Sequence, residues 1–142
     1  MSDIKCFSST SLAQTSNVGK QIHDLLRAPA CVYLRGDLGT GKTTLCQSII
    51  AAFGVTETVT SPTYNLIHEY SYSEGVIYHM DLYRIEDPSE LEFLALGDLW
   101  AENSIFLVEW PDKGGSYLQA PSLEILIENQ GPEGRTIQLT SV

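Results

Sequence analysis

The chain has 142 residues, of which 43% are hydrophobic and 18% charged, and carries a formal net charge of −10. That length fits a single domain (1–142) with a real core, and the composition is that of a soluble globular protein. No apolar run approaches the 18 or so residues that span a bilayer, and 8 scattered Lys and Arg against 18 Asp and Glu argue against autonomous RNA or DNA binding, because no basic stripe is available to neutralise phosphates.

Ile4 to Ser8 reads as a short first strand. The N-terminus before it lacks the basic and apolar regions of a secretory signal. Cys6, Cys31 and Cys46 are odd in number and lack metal-ligand spacing, which fits reduced thiols in the cytoplasm. A helix is expected to start near Thr10-Ser11, where Ser11-x-x-Gln14 has the form of a capping box. Leu12, Val18, Ile22, Leu25 and Leu26 fall near one of its faces. Ala30 to Leu34 is a short, β-favouring apolar run, read as a buried strand.

Directly after that strand, Gly36-Asp37-Leu38-Gly39-Thr40-Gly41-Lys42-Thr43 fits G-x-x-x-x-G-K-[ST], the loop that cradles nucleotide phosphates. Gly36 and Gly41 allow a tight turn and a close backbone approach. Successive N–H groups form an anion nest at the positive end of the following helix. Lys42 brings a point charge to the β/γ-phosphates, and the Thr43 hydroxyl can reach Mg²⁺. Thr44 to Phe53 carries apolar residues at helical spacing, with Gly54 as the stop.

Thr58 to Tyr64 is rich in turn residues. Within it, Ser61-Pro62-Thr63 stands where GTPase-like switches place a hydroxyl near the γ-phosphate; a plain proline turn is the alternative. Leu66 to Tyr72 and Val76 to Met80 read as a hairpin joined by Ser73-Glu74-Gly75. The second strand runs into Asp81, and the more apolar run Ile105 to Val108 runs into Glu109. Either carboxylate, or both, could hold Mg²⁺ or orient water at a strand end beside the loop. His79 could relay a proton or sense the γ-phosphate, and a structural role fits as well. Trp110, after Glu109, could be core, partner-facing or site-lining, with core the default, and the tyrosines around the hairpin read as sheet packing. Asp87-Pro88-Ser89-Glu90 opens a short helix through Leu94. Leu123 to Ile127 and Thr136 to Leu139 form a last hairpin. Parallel core strands with antiparallel additions predict an α/β, P-loop NTPase-like three-layer fold with a mixed, partly antiparallel central sheet.

No N-K-x-D guanine motif is present, which favours adenine by elimination. Arg135 could stack on a base through its planar guanidinium, or simply be a surface arginine of the hairpin. The four arginines and the lack of a lid-sized insert weigh against a small-molecule kinase.

The loop D-L-G-T-G-K-T-T, then T-S-P-T-Y, Y-H-M-D-L-Y-R and L-V-E-W, resemble in order and spacing the TsaE family (formerly YjeE) over about residues 8 to 140. The resemblance implies a cytoplasmic, Mg²⁺-dependent ATPase of tRNA N6-threonylcarbamoyladenosine formation. It implies an indirect or regulatory role beside TsaB and TsaD, with turnover slow until a partner completes the site; an ATP-dependent adaptor with incidental hydrolysis is the alternative. ATP would lie on Gly36, Leu38, Gly39, Thr40, Gly41, Lys42, Thr43 and Thr44, with Thr10 and Arg135 matching the edges that contact adenine. Thr43 and Glu109 would bind Mg²⁺, with Asp81 as a further metal candidate. Lys42, Asp81 and Thr63 of the switch would act in hydrolysis.

Overall fold

The computed structural model describes residues 4–60, 62 and 66–142. Seven strands make one sheet: β1 (Ile4–Ser9), β2 (Ala30–Arg35), β3 (Ile67–Tyr72), β4 (Gly75–Asp81), β5 (Ser104–Glu109), β6 (Leu123–Gln130) and β7 (Gly134–Ser141), in the order β1-β7-β6-β2-β5-β4-β3. The four central strands β6, β2, β5 and β4 run parallel. The edges are antiparallel: β1 on β7, β7 on β6, and β3 on β4. The mixed sheet expected from the sequence is therefore present, although the parallel pairing of β6 with β2 has no local signal in the chain.

Period-two alternation sends the central strands' side chains into two cores. On one face, Val32 and Leu34 of β2, Ile77 of β4, and Ile105 and Leu107 of β5 pack against α1 (Leu12–Leu25) and α2 (Lys42–Ala52). On the other, Cys31, Tyr78, Met80, Phe106 and Val108 meet Leu82, Leu91 and Leu96 from the segment that follows β4. That segment contains a 3₁₀ helix, Pro88–Leu94, capped by Asp87 and Glu90, and a single turn α3 (Leu96–Leu99). In α2, Leu45, Ile49 and Ile50 are fully buried, each worth about 1.5–3 kcal/mol of transfer free energy. This anchors the start of α2 against the sheet.

The first helix departs from its expected pattern in two ways. Val18, Ile22 and Leu26 are buried, but Leu12 is 77% exposed and Leu25 45%. Leu12 stands about 120° around the helix from Val18 at 3.6 residues per turn, and Leu25 ends the helix, where Leu26 takes the buried place. Ser11 Oγ accepts from Gln14 N at 3.2 Å. Gln14 Oε1 reaches one residue further back than a capping box requires, to Thr10 N at 2.6 Å and Thr10 Oγ1 at 3.0 Å. Gly75 belongs to β4 rather than to the turn, leaving Ser73-Glu74 as a two-residue connection. No helix among the described residues is long and apolar enough to cross a membrane.

Candidate functional site

The C-terminal ends of β2, β5 and β4 lie side by side, with Leu34 opposite Glu109 and Glu109 opposite Asp81. The glycine loop leaves β2 at this edge, so parallel pairing alone brings the loop and both carboxylates to one mouth. A cleft of about 370 Å³ gathers Gly39, Lys42, Thr43, Asp81, Glu109 and Trp110.

The loop's shape requires its glycines. Gly36 has φ +155°, and a Cβ there would stand 2.6 Å from the Ile127 carbonyl oxygen and 2.8 Å from Thr40 Oγ1. Gly41 caps α2 with φ +98°, a left-handed conformation that costs other residues about 1–2 kcal/mol. It offers no side chain to the first turn of α2, and that turn has no acidic residue. The N–H groups of Lys42, Thr43 and Thr44 thus open towards the cleft with the helix's positive end behind them, which suits an anion.

Lys42 is 5% exposed. Its ammonium donates to the carbonyl oxygens of Gly36 and Asp37, the latter at 3.0 Å. It also sits 4.4 Å from the centroid of the Trp110 ring. Burial pulls Lys42 below its ordinary value, while Glu109, Asp81 and Asp37 pull it up. Trp110 is half-buried, has φ +58° and leans on Tyr83 at 5.0 Å between centroids. It lines the cleft while packing against the second core, the site-lining place among those open to it, because the backbone turn before Pro111 swings the ring over the loop.

Glu109 and Asp81 are both buried. The Thr43 hydroxyl lies 3.1 and 3.2 Å from the two carboxylate oxygens of Glu109, and Asp81 Oδ1 accepts from Tyr83 N at 3.0 Å. Three hard oxygen donors at one end of an anion nest fit the preferences of Mg²⁺. His79 is 0% exposed and its Nε2 lies 2.7 Å from Glu109 Oε2. It stands behind the carboxylates, so it neither faces the cleft to sense a phosphate nor reaches solvent to relay a proton. The alternation that buries Ile77 also sends His79 and Asp81 to the α2 side of the sheet. A histidine two residues before a strand-end acid was the available signal for this contact.

On the far side of the loop a second cleft, about 440 Å³, is lined by Thr10, Thr40, Gly41, Thr44, Glu133 and Arg135 among others. Arg135 Nε donates to Thr40 O at 2.9 Å, which binds the last hairpin to the loop. Thr10 and Arg135 are thus brought together beside the anion nest, while Leu38 is exposed at the loop's tip. Thr63 and Ser61 of the expected switch lie outside the described residues. Pro62 is described and buried.

A family model described as "Threonylcarbamoyl adenosine biosynthesis protein TsaE" matches residues 9–137. The chain is 45% identical to the tRNA threonylcarbamoyladenosine biosynthesis protein TsaE of Haemophilus influenzae over 109 residues, 76% of this chain and 68% of that protein. It is 34% identical to the protein of the same name from Rickettsia bellii over 129 residues, 90% of this chain and 89% of that one. Among solved structures, the crystal structure of YdiB from Bacillus subtilis matches with a TM-score of 0.82 at 27% identity, covering 100% of this chain and 88% of that chain.

Proposed function

The chain belongs to the TsaE family, and from that premise we propose that it is a P-loop NTPase-like, Mg²⁺-dependent ATPase of the cytoplasm that serves tRNA N6-threonylcarbamoyladenosine formation beside TsaB and TsaD. The observation that carries the reading is the convergence of Lys42, Thr43, Asp81 and Glu109 on one cleft at the start of α2. Among the described residues the clustered arginines and lid of a kinase have no counterpart.

In this reading the N–H groups of the loop hold the β- and γ-phosphates, and the base enters the cleft between Thr10 and Arg135. Thr43 and Glu109 would hold Mg²⁺, and the ion would supply charge neutralisation for the transferring phosphoryl group. Asp81 orders the attacking water. Lys42 leaves the carbonyls of Gly36 and Asp37 and turns to the phosphates. Its present bonds, and its seat on Trp110, make that turn a step with a cost. This favours slow turnover alone and faster turnover when a partner reshapes the cleft. The role in modification is then indirect: ATP binding and hydrolysis support or reset the partner complex. An ATP-controlled adaptor shares every one of these contacts and differs only in whether hydrolysis is needed.

The test is phosphate release from ATP by the purified protein alone and with the TsaB–TsaD pair. Slow release, raised by the pair and abolished by Lys42→Ala, supports the reading. Rapid release that the pair leaves unchanged contradicts the partner's part in it. Asp81→Asn with modification retained and hydrolysis lost assigns the adaptor instead.

A further inference from the structure

His79 has no task in the reading above, yet it is one of the few polar side chains buried completely in the sheet. Its Nε2 is 2.7 Å from Glu109 Oε2, and since a carboxylate oxygen only accepts, the hydrogen belongs on Nε2. Its Nδ1 is buried with no hydrogen-bond partner among the described residues. An orphaned ring nitrogen in an apolar strand is a standing cost; an aliphatic residue would pack there without one. Cys46 completes the surroundings: its sulfur, a His79 ring nitrogen and a Glu109 oxygen all lie within 4.8 Å of one another. Burial, with Glu109 and Asp81 nearby, raises the Cys46 thiol well above its ordinary value, so it stays protonated and brings no charge to Glu109.

We infer that His79 is a positioning residue that holds the Glu109 carboxylate through Oε2 and so fixes its plane in front of Thr43 for a divalent cation. The inference rests on the proposed Mg²⁺ site and deepens it. The Glu109 side chain turns about Cα–Cβ, Cβ–Cγ and Cγ–Cδ before its carboxyl plane is set, and Thr43 touches both oxygens almost equally, at 3.1 and 3.2 Å. The bond from His79 engages Oε2 alone, and so holds the carboxyl plane that Thr43 does not fix. Residues that hold a metal ligand from behind typically change metal affinity 10–100-fold when removed.

The experiment reads binding rather than turnover: affinity for a non-hydrolysable ATP analogue by calorimetry, with and without Mg²⁺. The variants are His79→Leu, His79→Asn and His79→Gln, whose amide nitrogen reaches where Nε2 stands. In His79→Leu the strengthening of binding by Mg²⁺ should fall roughly tenfold or more, with Mg²⁺-free affinity within about twofold of wild type, and His79→Gln should restore the Mg²⁺ effect. Should His79→Leu fail to fold, as judged by thermal melting, the contrast between Gln and the shorter Asn carries the same test. A wild-type Mg²⁺ effect in His79→Leu, or in Asn as fully as in Gln, overturns the inference alone. A wild-type protein whose analogue binding ignores Mg²⁺ overturns the proposed metal site and the inference with it.

Discussion

Replacing Gly36 by alanine should damage both the fold and the anion nest. The added Cβ meets the Ile127 carbonyl oxygen at 2.6 Å and Thr40 Oγ1 at 2.8 Å, whereas ordinary contacts start near 3.4 Å. Ile127 has little room to draw back, since it pairs with Ile137 of β7 and directly follows Leu126, which is paired with Arg35 of β2. Adopting φ +155° costs a non-glycine residue about 1–2 kcal/mol, and forcing atoms into a packed place about 1–3 kcal/mol more. The sum, about 2–5 kcal/mol, is a large part of the stability of an ordinary domain. At roughly 3 °C per kcal/mol for a chain of this size, the melting temperature should fall by about 6–15 °C. Gly97→Ala is the control: no atom lies within 4 Å of its added Cβ, and alanine in α3 should be neutral or mildly stabilising. Urea and thermal unfolding of both variants, with analogue binding alongside, check the reasoning. A Gly36→Ala protein as stable as Gly97→Ala and equally able to bind would refute it.

Three further outcomes are expected. Thr43→Val, nearly isosteric, removes the hydroxyl that faces Glu109; stability should change by no more than about 1.5 kcal/mol, while the Mg²⁺ dependence of analogue binding, read by calorimetry, should weaken roughly tenfold or more. Burial pushes the Cys31 thiol up to about 12, so the native state keeps a proton that the unfolded chain sheds near pH 9. Stability should be intact below pH 9 and decline from there towards pH 12, by about 1.4 kcal/mol per pH unit from this thiol, and identical urea midpoints at pH 8 and pH 10.5 would contradict that. In a Trp100→Phe background the emission of Trp110 should respond to saturating nucleotide, because the Lys42 ammonium now 4.4 Å from its ring centroid must leave. An unchanged spectrum would mean that Lys42 does not move.

The parts of this molecule that were legible in its sequence are those whose causes are local. The glycine loop is one contiguous stretch, its strand is a bare apolar run, and its helix repeats at helical spacing. The acids Asp81 and Glu109 were visible as strand ends because each closes an apolar segment. Pairings between distant segments were not legible. Nothing in Leu123 to Gln130 says that it lies parallel to β2, since the choice is made by Leu123, Ile125 and Ile127 filling the core beneath α1 and α2. The contact of His79 with Glu109 spans thirty residues and exists because β4 and β5 are neighbours in register. For Trp110 the sequence leaves core, partner-facing and site-lining places open with core the default; the left-handed backbone that turns its ring over Lys42 is set by the turn into Pro111.

On the proposed function, the cleft between the glycine loop, Asp81 and Glu109 takes ATP with Mg²⁺. Calorimetric titration of the purified protein with a non-hydrolysable ATP analogue, with and without Mg²⁺, tests it most directly. Saturable binding of one nucleotide per chain, strengthened by Mg²⁺ and lost in a folded Lys42→Ala variant, is the expected result. Absence of binding by the wild-type protein, or binding that Lys42→Ala leaves intact, would contradict the account.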